Sequence, residues 1–125
     1  GTEADNLAVT GGYAARRSAD PLTRGLVTST IEHHAVLEPA EALERAGADL
    51  RLVAPEPSGV VAVEAVREAL DGVEAGGSGV ALVSLMWANN EIGTVQPVHE
   101  VAALARSRGA TVHSDAVQAA GPLEV

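Results

Sequence analysis

Four short stretches of this 125-residue chain gather the side chains that could do chemistry. They are Gly1-Thr2-Glu3, Glu32-His33-His34, Asn89-Asn90-Glu91, and His113-Ser114-Asp115 with Gln118 three residues on. An imidazole such as that of His33 can pass protons to and from a substrate. A helix start such as Gly1-Thr2-Glu3 can hold a phosphate on its backbone N–H groups without any cationic side chain. Each stretch also has a plainer reading. Asn89-Asn90 fits a turn whose side chains bond their own backbone. Asp115 fits the N-cap of a following helix, Gly1-Thr2-Glu3 an ordinary capped start, and His33 and His34 a pair of exposed residues opening a helix.

The elements that must position these residues alternate along the chain. Thr2 to about Arg17 has helical composition, with Glu and Asp in its first turn. Gly25 to Ser29 reads as a short strand. His34 to Arg45 carries Val36, Leu37, Ala40 and Leu43 as a helical stripe, stopped by Gly47. Leu50 to Ala54 is a second strand, and Val63, Val66 and Leu70 mark a helix ending near Gly72. Val80 to Met86 is a continuous apolar run, the pattern of a strand buried on both faces. Pro97 opens a further helix, where its missing N–H costs nothing. Val98, Val101, Ala102 and Ala105 share one face of that helix, and Gly109 ends it. Ala110 to Ser114 is the last strand, with Asp115 at its tip. Gly11-Gly12, Ser18 to Arg24 and Gly76 to Gly79 read as loops between patterned segments.

Alternating helices and strands with short connectors predict an α/β domain with a mainly parallel sheet and helices on both faces. Ligands of such sheets gather at the carboxyl ends of the strands. His33, Asn89-Asn90 and Asp115 follow three different strands, and a purely structural sheet has no need of polar groups at all three.

Composition narrows the function. Hydrophobic residues make up 46% and aromatics only 2%, so Val, Leu, Ile and Ala must build the core. The net charge of −9 and the lack of a basic cluster argue against nucleic-acid binding. Without Cys there is no disulfide, thiol nucleophile or Cys-based zinc site. The adjacent pair His33-His34 does not suit two metal ligands on one helix face, so no metal is expected. No apolar run approaches the length of a membrane span, and no signal peptide opens the chain.

The segment Ser84 to Pro97 resembles the Asn-Asn-Glu-Ile-Gly region of the NifS/IscS-like cysteine desulfurases, which belong to the class V aminotransferase group of pyridoxal-phosphate (PLP) enzymes. Ile31 to Glu38 resembles the Glu-His-x-Ala-Val stretch of that family, His113 to Gly121 its Asp-x-x-Gln strand end, and Gly1 to Ala8 its Gly-Thr-Glu-x-x-Asn turn. All four occur in the family's order and together cover nearly the whole chain. The resemblance implies the large PLP-binding domain of a fold-type-I enzyme. It implies that His33 stacks on the cofactor ring and serves catalysis, that Asp115 pairs with the pyridine nitrogen and Gln118 with the phenolic oxygen. It further implies that Gly1 and Thr2 hold the phosphate and that Asn90 belongs to the cofactor site. His34, His99 and His113 match no functional position and are expected to be structural.

The implied reaction takes sulfur from L-cysteine, releases alanine and leaves a persulfide on an enzyme Cys. From there the sulfur passes to an acceptor protein serving iron–sulfur clusters or tRNA thiolation. A cytoplasmic homodimer is implied for the whole enzyme, with no membrane and no direct nucleic-acid partner. The family needs a Lys to hold PLP as a Schiff base, a Cys nucleophile and an Arg for the substrate carboxylate. All eight basic residues here are Arg, none in a matching segment, and Lys and Cys are absent. The expectation is therefore a partial large domain over 1–125, without the N-terminal arm, the Lys segment or the C-terminal small domain. By itself it is expected to be inactive and prone to self-association through open sheet edges. Two rivals remain: another class V enzyme, such as a selenocysteine lyase or an aminotransferase, and a catalytically inactive α/β module.

Overall fold

In a computed structural model, the chain forms one α/β unit. The structure describes residues 2–32, 34–85, 88–89, 94–95 and 97–114, with the backbone alone at 2–7, 34–35, 88–89 and 94–95. The elements run α1 (Thr2–Ala19), β1 (Thr23–Ser29), α2 (His34–Arg45), β2 (Asp49–Val53), α3 (Val63–Ala75), β3 (Gly79–Ser84), β4 (Ala88–Asn89), β5 (Thr94–Val95), α4 (Val98–Ser107) and β6 (Thr111–His113). Four strands make one parallel sheet in the order β2-β1-β3-β6. The pair β4-β5 is a separate antiparallel ribbon, Ala88 opposite Val95 and Asn89 opposite Thr94.

Both faces of the sheet are covered, as its apolar strands demand. On one face Val9 and Tyr13 of α1 and Val36 and Ala40 of α2 pack on Leu26 and Leu82. On the other, Val66, Leu70 and Val73 of α3 and Val98, Val101 and Ala105 of α4 pack on Val27, Val80 and Val83. Each fully buried Val or Leu contributes about 1.5–3 kcal/mol over leaving it exposed. With few aromatics, many such modest contacts replace a few large ones.

Gly25 marks the closest approach within the sheet. A Cβ there would lie 2.5 Å from Val73 Cγ1 and 3.0 Å from the Gly79 carbonyl oxygen. The register between β1 and β3 shifts on either side of it, so the bare backbone lets α3 and β3 close on β1. At the far end of α4, Gly109 takes a φ of 78°, the left-handed turn that ends a helix.

Several boundaries differ from the sequence expectation, and the loop expected from Ser18 to Arg24 shrinks to 20–22 because α1 runs to Ala19 and β1 starts at Thr23. Gly11 and Gly12 lie inside α1 rather than in a loop. Val9 and Tyr13 on either side of them are buried against the sheet, and tertiary packing outweighs the weak helix propensity of glycine. The third helix runs past Gly72 to Ala75. Arg51 reaches across to Gly72, its guanidinium donating to the carbonyl at 3.4 Å, and Val73 continues the buried stripe. Pro97 is the N-cap of α4 rather than its first helical residue. The expected strands at Leu50, Val80 and Ala110 are present within one or two residues of their expected ends. Met86 lies outside the described residues.

Candidate functional site

The sheet order fixes where a ligand belongs. From β1 the chain adds β2 on one side and β3 on the other. The connections thus part between β1 and β3, a switch point of the kind where open α/β sheets bind ligands beyond the carboxyl ends of their strands. Ser29 ends β1 and Ser84 ends β3.

Polar groups collect at this edge. Val27 pairs with Val83, and the next residue on each strand, Thr28 and Ser84, is buried at 2% and 0% exposure. Among the described residues neither hydroxyl has a hydrogen-bond partner. Such groups cost stability unless they are satisfied. They border a small cavity whose walls are otherwise mainly apolar, among them Val27, Val53, Val61, Val66 and Val83. The Ser29 hydroxyl donates to Glu32 Oε2 at 2.6 Å, both side chains being buried. Thr30 N–H donates to the Val53 carbonyl at 3.0 Å, which ties the exit of β1 to β2.

The end of β6 joins the same edge. Leu85 N–H donates to the His113 carbonyl at 3.0 Å, and the Ser114 hydroxyl donates to the Leu85 carbonyl at 2.6 Å. The start of α1 also faces this way. Its end at Ala19 leads within four residues into β1, and a Cβ added at Gly109, just ahead of β6, would lie 3.5 Å from the Arg16 guanidinium. The last turns of α1 thus sit at the amino ends of the strands, and the helix runs back toward their carboxyl ends. Over 18 residues it rises about 27 Å, enough to bring its positive, N–H-bearing terminus to the carboxyl edge.

Of the residues singled out in the sequence, Gly1, His33, Asn90, Asp115 and Gln118 lie outside the described residues. Thr2 is the first residue of α1, described in its backbone. Their immediate neighbours Glu32, Asn89 and Ser114 are described, and Glu32 and Ser114 stand on the exits of β1 and β6. His99 is exposed on α4, and His113 is half-buried in β6 opposite Ser84. Sequence reasoning assigned no role to Thr28, Ser29, Glu32, Ser84 or Ser114. The signal available was a run of hydroxyl residues at apolar strand ends, where a buried strand otherwise continues in Val or Leu.

The chain thus forms an α/β unit with buried hydroxyl and carboxylate groups at the carboxyl edge of its parallel sheet. The chain belongs to the aminotransferase class-V family, whose model matches residues 1–125. It is 48% identical over 124 residues to an IscS-like cysteine desulfurase of Mycobacterium tuberculosis, an alignment covering 98% of this chain and 30% of that protein. Among solved structures it is similar to DndA from Streptomyces lividans, with a TM-score of 0.80 and 41% identity over 94% of this chain and 31% of the other. It is also similar to SspA in complex with cysteine, with a TM-score of 0.77 and 33% identity over 94% of this chain and 31% of the other. The chain thus spans about 30% of the length of the curated relatives it matches.

Proposed function

We propose that this chain is part of the large cofactor-binding domain of a PLP-dependent cysteine desulfurase. The observation that carries the reading is the β1/β3 switch point, because His33 and Asn89-Asn90 follow β1 and β3 along the chain and Asp115 follows the neighbouring β6. The buried hydroxyls of Thr28 and Ser84, which have no hydrogen-bond partner among the described residues, add polar groups to this edge. An imidazole, a carboxylate, amides and a helix N-terminus make a donor set suited to a flat, phosphorylated, cationic heterocycle. The likeness to relatives named as cysteine desulfurases and to a structure holding cysteine supports the substrate.

When bound, PLP supplies the electron sink that lets the C–S bond of cysteine break. In this reading the residues of the chain hold and orient. The N-terminus of α1, with Gly1 and Thr2, takes the phosphate. His33 covers one ring face and moves a proton at its imidazole. Asp115 keeps the ring nitrogen protonated, and Gln118 and Asn90 hydrogen-bond the ring substituents. Lys and Cys, absent here, come from elsewhere in the whole enzyme, and the sulfur passes onward to an acceptor protein. The whole enzyme acts as a cytoplasmic homodimer. Among the described residues no helix is long and apolar enough to cross a membrane.

The test is product analysis with the full-length protein, PLP and L-cysteine. Alanine formed in proportion to sulfur transferred supports the reading. Transfer of the amino group to a 2-oxo acid would make the protein an aminotransferase instead.

A further inference from the structure

We propose that Glu32 is a positioning residue for the cofactor site, its buried carboxylate bonded to Ser29 so that the chain leaves β1 toward His33 along one fixed path. The inference rests on the role given to His33 above.

Among the described residues Glu32 is the single buried acidic side chain, at 6% exposure, and its partner Ser29 is at 0%. Burying a carboxylate costs free energy that an apolar side chain in the same place would not. The 2.6 Å separation is that of a hydroxyl donating to a carboxylate, among the stronger hydrogen bonds available. It spans three residues and closes the turn at the mouth of β1. The turn is pinned a second time where Thr30 N–H meets the Val53 carbonyl. Two anchors on a four-residue stretch leave its exit little freedom. His33 is the next residue, and α2 begins at His34. An imidazole that must lie flat on a ring requires a fixed approach, and the Ser29–Glu32 bond holds the residue just before it.

The test is a double-mutant cycle in the full-length holoenzyme with Glu32→Ala, His33→Ala and the pair. It reads the absorbance spectrum of the bound cofactor, the cofactor affinity of the apoprotein, and kcat and KM for L-cysteine separately. Glu32→Ala is expected to lower kcat between about tenfold and a hundredfold, the scale of a misplaced reacting group. It should shift the cofactor spectrum and leave KM within about twofold. The double variant should fall no further than His33→Ala, because the two residues act through one group. Losses that multiply would overturn the proposal. So would a Glu32→Ala enzyme with wild-type kcat and spectrum beside a crippled His33→Ala, which leaves the role of His33 standing. A His33→Ala enzyme with wild-type spectrum and turnover would instead sink that role and this proposal with it. Should Glu32→Ala not fold, Ser29→Ala removes only the donor and is expected to shift the spectrum in the same direction. Glu32→Gln keeps an acceptor oxygen and is expected to restore it. An unshifted spectrum in Ser29→Ala counts against the proposal.

Discussion

The Ser114 hydroxyl sits 2.6 Å from the Leu85 carbonyl and donates to it, binding the exit of β6 to the exit of β3. Leu85 N–H returns a bond to the His113 carbonyl, so the two strand ends are stitched together just where Asp115 follows. Ser114→Ala removes one link of that stitch. The expected cost is about 1 kcal/mol of stability, the ordinary net worth of one hydrogen bond, together with weaker PLP binding by the full-length apoprotein. Denaturant titration and a cofactor titration check the two effects. Lost stability with unchanged affinity would mean that this junction supports the sheet but not the site.

Two glycines should respond in opposite directions to the same substitution. At Gly25 a Cβ would lie 2.5 Å from Val73 Cγ1, 3.0 Å from the Gly79 carbonyl oxygen and 3.1 Å from Val80 Cα. Backbone on two sides cannot yield cheaply, so Gly25→Ala should destabilise by about 1–3 kcal/mol. Gly11 is exposed within α1, with nothing within 4 Å of an added Cβ. Gly11→Ala should stabilise by about 0.5–1 kcal/mol through helix propensity and a less flexible unfolded chain. Melting temperatures of the two variants, measured side by side, check the pair.

These glycines also mark how far the sequence could be read. The α/β alternation and the existence of each main strand and helix followed from apolar periodicity, because Val80 to Val83 or Val98 to Ala105 can bury a face in only one way. Gly11-Gly12 misled because local propensity knows nothing of Leu26 and Leu82 waiting across the sheet. The end of α3 was misplaced for a like reason, since the contact from Arg51 to Gly72 joins residues 21 apart. The switch point itself is a property of strand order, which short-range patterns do not encode. Glu32 stood in plain view beside His33, but only the fold reveals that it is buried on Ser29.

Arg108 bridges two helices from the C-cap of α4, reaching Asp71 at 2.9 Å and Glu74 at 2.5 Å on α3. The hydrogen bond it donates to Asp71 raises its pKa above the ordinary arginine value, with desolvation opposing and the charges of Glu74 and Asp71 adding to the rise. A base with a raised folded-state pKa contributes its stability below the unfolded value and loses it only as pH climbs through the folded one. Moving from about pH 6 to about pH 10 therefore leaves the charge on Arg108 intact. Arg108→Ala should lower the melting temperature slightly across that range, and added salt should shrink the difference because both carboxylate partners are solvent-exposed. A difference that grows with salt would contradict an electrostatic bridge.

Whether the edge between β1 and β3 holds PLP can be seen in a density map of the full-length protein with PLP bound. The cofactor ring is expected against His33, beyond the carboxyl ends of β1, β3 and β6, with its phosphate at the start of α1. A cofactor lodged anywhere else, or a ring out of reach of His33 and Asp115, would contradict it.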